Sequence, residues 1–504
     1  MPHEPGAAEP DDAELRVGTP QGRWVLAATV LGSGIAFLDG TVVQVALPAI
    51  GDDLGGSLAD LQWTINGYLV TLSALLLLGG SLGDRFGRRR VFVAGLVAFT
   101  VASVLCGLAP SPGLLIAARA LQGVGGAMLV PGSLSIVASS FHAEDRAKAI
   151  GAWSGLAGVA GAVGPFVGGW LIDSVSWRWV FLINLPLAAV AIWITVRHVP
   201  ETRSATATHL DVPGAALATI TLAGITYFAI DRGGGLSVAS GVGGLAAGIA
   251  FVVVERRSPQ PMLPVSLFAS RQFSGANLAT VAVYAGLGGA FFLLVLRLQF
   301  SLGYSALEAG AALVPFTLLL LVLSARAGEL AQRIGARGPM TLGPLAAAVG
   351  IVLLSGVSPG DRYVSGVLPG VVVFGLGMAL TVAPLTAAVF ASVPDESAGA
   401  ASGVNNAAAR MAGLLAVAAL PSLAGVTTDG PVADSLDAGF AAGMRIAAAV
   451  TATGGLISFL LVRETAPVHA VPQPSAQWAC HDPSVKSEAS PSHRPSQPTP
   501  KAHP

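Results

Sequence analysis

The sequence predicts an all-α integral membrane protein whose chain crosses the bilayer fourteen times. Three observations carry that prediction. Of its 504 residues, 11% are charged and 53% hydrophobic, whereas a soluble globular chain is about 25% charged. The apolar residues gather into fourteen stretches near the roughly 20 residues that a spanning helix needs. One polar loop recurs at a fixed interval, as a duplicated half would require. A soluble multidomain enzyme is thereby excluded. A net charge of −1 leaves no basic field for nucleic acid. Cys106 lies in apolar sequence and Cys480 in polar sequence, so neither a disulfide nor a metal framework is expected.

Taken in order, six spans are expected near 24–46, 61–81, 91–109, 114–139, 148–172 and 179–197. After a polar stretch, two more fit near 212–230 and 236–254, followed by a proline-bearing polar segment, 255–271. The last six fit near 274–298, 309–327, 340–357, 364–392, 404–425 and 438–462. Helices are expected because lipid satisfies no backbone polar group. Basic residues occupy alternate loops: Arg85, Arg88, Arg89 and Arg90; then Arg146 and Lys148; then Arg203; then Arg256, Arg257 and Arg271; then Arg333 and Arg337. The loops between them are acidic or neutral, with Asp52, Asp53 and Asp60 in one and Asp429, Asp434 and Asp437 in another. Arg178, Arg232 and Arg362 are isolated exceptions there. The positive-inside rule then places both termini in the cytoplasm. The tail 464–504, rich in Pro, Ser and His, is expected to be disordered. Its His469, His481, His493 and His503 are too irregularly spaced for a metal site.

In the recurring loop, Gly80, Leu82, Arg85, Gly87 and Arg89 return, evenly displaced, as Gly328, Leu330, Arg333, Gly335 and Arg337. The copies follow the second and tenth spans. The expected organisation is therefore an N-terminal tail (1–22), a six-helix half (23–198), a two-helix insertion with flanking loops (199–271), a second six-helix half (272–463) and a C-terminal tail (464–504). Parallel halves of this kind place a substrate site near midplane between them. The glycines permit a tight reversal. Asp84 is expected to accept charge-assisted bonds from arginines across the gap between halves, a latch that breaks when that side opens. Arg88 belongs to the same loop.

A few polar residues fall inside apolar segments. Asp39 is the one acid well inside a span of the first half. An unpaired carboxylate is costly in the bilayer and tends to hold a proton, so this is a proton-carrier candidate. Arg119, with Gln122 one turn on, does not lose its proton but can release that of a neighbouring acid. Gly155, Gly158, Gly161, Gly164, Gly168 and Gly169 form a glycine-dense face with Pro165 beside it, suited to close helix approach. Candidates for a substrate cavity are Gln44, Trp63, Asn66, Tyr68, Gln122, Asn277, Tyr284 and Asn405, with Tyr227, Phe228, Phe291 and Phe292 as further aromatics. The tenth span contains no acid, which argues for neutral, weakly basic or anionic amphiphiles. Arg297, Arg410 and Arg445 suit either an anionic group on a substrate or a lipid phosphate.

Several segments together carry a family resemblance: Leu38–Pro48, Gly80–Arg89, Arg119–Gly125, Gly161–Gly169, Ser176–Asn184 and Gly403–Asn406. On these the chain resembles the major facilitator superfamily and, more narrowly, its fourteen-span drug/proton antiporters. The family usually has Asn where Gln44 stands and another Gly where Ala160 stands. The resemblance implies the major facilitator fold, two six-helix halves with two inserted central helices. It also implies proton coupling through Asp39 and Arg119, gating by the Gly80–Arg89 loop, and an antiporter motif at Gly161, Gly164, Pro165, Gly168 and Gly169. The expected activity is proton-driven export of a small amphiphilic drug or antibiotic by a monomer. No cofactor is expected, and the partners are substrate, protons and the lipid bilayer. Coupled uptake of a nutrient is the alternative, disfavoured by the Gly-Pro pattern of the fifth span. A lipid enzyme would need clustered catalytic groups within the membrane. Scarce lysine beside abundant Ala, Gly and Arg suggests a GC-rich bacterium and hence its plasma membrane.

Overall fold

The computed structural model describes residues 15–204, 210–231, 233–258, 261–394, 397–426 and 432–463. Most of the N-terminal tail, the tail 464–504 with its histidines and Cys480, Arg232 and Asp429 lie outside the described residues. Those residues form fourteen helices long and apolar enough to cross a membrane. They are α1 (Pro20–Leu54), α2 (Leu58–Phe86), α3 (Arg88–Gly107), α4 (Pro112–Ser140), α5 (Ala143–Ser174), α6 (Trp179–His198), α7 (Val212–Ile230), α8 (Gly235–Arg257), α9 (Arg271–Ser301), α10 (Ala306–Ile334), α11 (Arg337–Leu354), α12 (Tyr363–Phe390), α13 (Ala398–Leu423) and α14 (Val432–Leu461). The fold is all-helical among the described residues.

Local sequence sets the helix ends. Thr19 caps α1 by accepting the Gly22 N–H, with Pro20 at the first helical position. Ser57 and Asp60 form a reciprocal capping box at α2, the Asp60 carboxylate accepting the Ser57 N–H at 2.8 Å. Helices α1–α6 pack largely among themselves, as do α9–α14. Helices α7 and α8 pair with each other, and α7 also lies against α2 and α13.

The two sets meet on one side and part on the other. On the side opposite the Gly80–Arg89 loop, one hydrophobic cluster runs through both, from Leu47, Ile50 and Phe181 to Leu296, Phe316 and Phe440. Three polar ties cross there. Gln62 of α2 donates to the Val417 and Ala418 carbonyls at 2.7 and 3.1 Å. Gln299 of α9 donates to the Val45 carbonyl at 3.0 Å. Asp173 of α5 accepts the backbone N–H groups of Ala306 and Leu307 at 3.2 and 2.9 Å, capping α10 from the other set. On the loop side, two clusters replace the one. The first is built almost wholly from α1–α6, and the second from the later helices with Leu263 and Leu267 packed against it.

The repeated loops correspond in backbone and in partner. Gly87 and Gly335 have φ of +109° and +89°, where a side chain is strained. Arg89 donates to the Val199 carbonyl just beyond α6 at 3.1 Å, and Arg337 to the Phe459 carbonyl near the end of α14 at 2.9 Å. Each arginine thus ties the third helix of its set to the sixth. The expected latch across the gap is not formed. Asp84 pairs with Arg88 of its own loop at 2.8 Å.

Candidate functional site

Near the middle of α1, Asp39 is fully buried, and so are Arg119 and Gln122 of α4. Arg119 Nη1 donates to Asp39 Oδ2 at 2.5 Å and to Gln122 Oε1 at 2.6 Å. Gln122 Nε2 donates to Asp39 Oδ1 at 2.8 Å and to Ser103 Oγ of α3 at 2.8 Å. Asn184 of α6 donates to the same Asp39 oxygen at 3.3 Å. Arg119 Nε donates to the Thr64 carbonyl at 3.0 Å, and the guanidinium stands over the Tyr68 ring at 4.4 Å. Five helices therefore converge on one ion pair. Asp39 is not the unpaired acid the sequence suggests, since Arg119 supplies its countercharge. Arg119 lies wholly inside the protein, so it does not snorkel to an interface.

Beside this network lies a cavity of about 350 Å³ between the two sets of helices, lined by Gln44, Tyr284, Phe291, Phe316 and Arg410 among others. A smaller space of about 170 Å³ shares Thr41, Gln44, Leu69 and Arg410 with it and continues to Tyr68 and Arg119. The cavity thus leads to the face of the ion pair. The walls are largely apolar, with a few polar groups, as in small-molecule sites generally.

The sequence candidates divide accordingly. Gln44, Tyr68, Tyr284 and Phe291 line this space, while Gln122 holds Asp39. Trp63 faces away and packs on Tyr227 of α7, ring centres 6.3 Å apart. Asn66 is buried with its amide unpartnered among the described residues, and Phe292 sits in the core. Phe228 is exposed. Asn277 and Asn405 bond to each other at 3.2 Å and tie α9 to α13. Arg297 pairs with Asp437 on the side away from the repeated loops, and Arg445 is exposed on α14.

The glycines of α5 serve two purposes. Side chains at Gly164 and Gly168 would strike Thr41 and Val42 of α1, and one at Gly169 would come within 2.5 Å of the Leu307 Cα on α10. Thr41 donates to the Gly161 carbonyl at 3.1 Å. Pro165 lies within the helix, its carbonyl directly against Gly310 of α10. Gly155 and Gly158, by contrast, meet nothing within 4 Å. The close packing expected of the whole glycine face therefore begins only at Gly161, and Gly158 lines the cavity.

Ser103 and Glu201 escaped sequence reasoning, as did the role of Asn184. Glu201 accepts the Arg89 N–H at 3.1 Å and would lie 2.6 Å from any Cβ at Gly87. Its one sequence signal is an acid facing an arginine-rich loop. Ser103 has none.

A buried ion pair on one wall of a cavity, closed at one end and open at the other, suits a carrier that exposes a site to one side at a time. The sequence lacks the Gly-x-x-x-x-Gly-Lys-Ser/Thr phosphate loop, and the class these features define is a secondary transporter. The description of the Major Facilitator Superfamily matches residues 29–417, and the chain belongs to that superfamily. It is a multi-pass membrane transporter, not an enzyme. Among its relatives, the puromycin resistance protein pur8 of Streptomyces alboniger is 37% identical over 424 residues, covering 82% of this chain and 84% of that protein. The cephamycin export protein CmcT of Amycolatopsis lactamdurans is 37% identical over 423 residues, covering 81% and 86%. In fold, the crystal structure of a D-xylose-proton symporter superposes with a TM-score of 0.64 at 15% identity, covering 88% of this chain and 98% of that one.

Proposed function

We propose that the protein is a proton-coupled exporter of small amphiphilic drugs or antibiotics, working by alternating access. The observation that carries this reading is Asp39, buried and held by Arg119, within reach of the cavity through Tyr68. When Arg119 and Asp39 part, the carboxylate takes a proton; when they meet again, the proton leaves. Substrate reaches the cavity in the conformation described here, while protons bind from the other side after the halves (23–198 and 272–463) rock past one another. The side now open is read as cytoplasmic, because the arginine-rich loops lie there. Both termini are then cytoplasmic, in a bacterial plasma membrane. The proton gradient replaces any cofactor. The chain is taken to act as a monomer, with each chain holding its own cavity between its two sets of helices.

The relatives' names support efflux rather than uptake. The test is proton-driven transport of a cephamycin or another amphiphilic antibiotic into inside-out vesicles, with wild type compared with Asp39→Asn. Wild-type transport should collapse when the gradient is dissipated, and the variant should lose the gradient-driven part. Equal gradient-driven transport by a folded Asp39→Asn protein would refute the coupling role.

A further inference from the structure

Most buried or half-buried arginines near the helical core have a carboxylate. Arg119 has Asp39, Arg178 has Asp53 and Arg297 has Asp437. Arg410 of α13 does not. It borders both parts of the central space, and no acidic side chain lines either. Asn406, one turn earlier, accepts from Arg410 Nε at 3.0 Å, which fixes the plane of the guanidinium. Its terminal nitrogens have no acceptor among the described residues. The nearest ring, Phe37, is centred 5.9 Å from the guanidinium carbon. Asp39 is not free to serve, since Arg119, Gln122 and Asn184 already occupy its oxygens. A lipid phosphate does not fit, because Arg410 lies between the two sets of helices.

Water can solvate this cation while the cavity stands open. Alternating access then removes that water, and an arginine cannot discharge itself by losing a proton. Closing the cavity around a neutral or cationic occupant would leave a bare charge in a low-dielectric space, which is heavily penalised. An occupant with its own negative group removes the penalty and receives paired N–H donors in a fixed plane. We infer that Arg410 is the recognition site for an acidic group, a carboxylate or sulfonate, on an otherwise apolar or aromatic substrate. Phe291, Phe316 and Tyr284 receive the apolar body, and Asn406 acts as a positioning residue. The inference rests on the exporter reading and adds a substrate class to it.

The test uses three probes on the full chain reconstituted in liposomes: anilinonaphthalene sulfonate, the same skeleton without its acid (phenylnaphthylamine), and the monocation ethidium. Wild type should bind the sulfonate more tightly than either other probe and move it under an imposed proton gradient. Arg410→Gln should lower the ratio of sulfonate to phenylnaphthylamine transport by about tenfold or more, the usual scale for losing a charged hydrogen-bonding partner. Arg410→Lys, which keeps the charge but not the fork, should restore part of that ratio. An equal loss for both probes in Arg410→Gln would assign Arg410 to structure or coupling and overturn the inference. So would a wild type that drives ethidium or phenylnaphthylamine but not the sulfonate, although the exporter reading would survive. Movement of no probe under the gradient would overturn both.

Discussion

The Asp39–Arg119 pair is asymmetric in what its loss would do. Breaking a buried pair by removing one partner costs about 3–5 kcal/mol, but a stranded carboxylate can relieve itself by taking a proton and a stranded guanidinium cannot. Asp39→Asn should therefore lower the melting temperature of the purified protein more than Arg119→Gln. The double variant should recover part of the loss, with a coupling of about 3 kcal/mol in the cycle; additive losses would mean that the pair does not hold the helices together. These two residues were legible in the sequence because a charge stands out in apolar surroundings. Ser103 and Asn184, which complete the network, did not stand out, since uncharged polar residues are scattered through every span. Choosing among Gln44, Trp63, Asn66 and Asn277 was beyond reach for a different reason. Lipid is as apolar as the core, so hydropathy does not report which face of a span turns inward. Only the packed helices show Trp63 against Tyr227 and Gln44 in the cavity.

Among the elements, α5 carries the clearest contrast. Its two ends face different demands, although its glycines look alike in sequence. Gly169→Val would press a branched side chain into the α10 backbone and should hinder closure on that side. Labels on Val175 and Ala311 should then report a longer separation than in wild type, while Gly155→Ala should leave it unchanged. Equal behaviour of the two variants would contradict the division of the helix at Gly161. The loop before α3 makes a second case. Gly87→Ala places a side chain at φ +109° and against Glu201, a strain of about 1–3 kcal/mol, and should lower the melting temperature. Wild-type stability in the Gly87→Ala protein would mean that the loop relaxes freely. The repeat announced this glycine, but not its partner, because Glu201 lies far along the chain, just beyond the end of α6.

For the whole molecule, the three polar ties named between the two sets of helices all lie on one side among the described residues. Asp173 is the most dispensable to folding, since α10 has its own cap in Ser305 and Glu308. Asp173→Ala removes two charge-assisted bonds, each worth about 1.5–3 kcal/mol, and should shift the population toward opening on that side. The same label pair should show a new long-distance fraction; an unaltered distribution would mean that the hydrophobic cluster alone sets the balance. The fourteen spans and their two-plus-twelve arrangement were legible from hydropathy and the repeated loop. Which side stands open was not, because it depends on contacts between distant segments. The placement of α7 carries one more consequence. By leaning on both α2 and α13, it covers one of the two seams between the moving bodies and leaves the α5–α10 seam bare. Among the described residues, any sideways entry between the two sets of helices is therefore expected at the α5–α10 seam rather than at the α2–α13 seam.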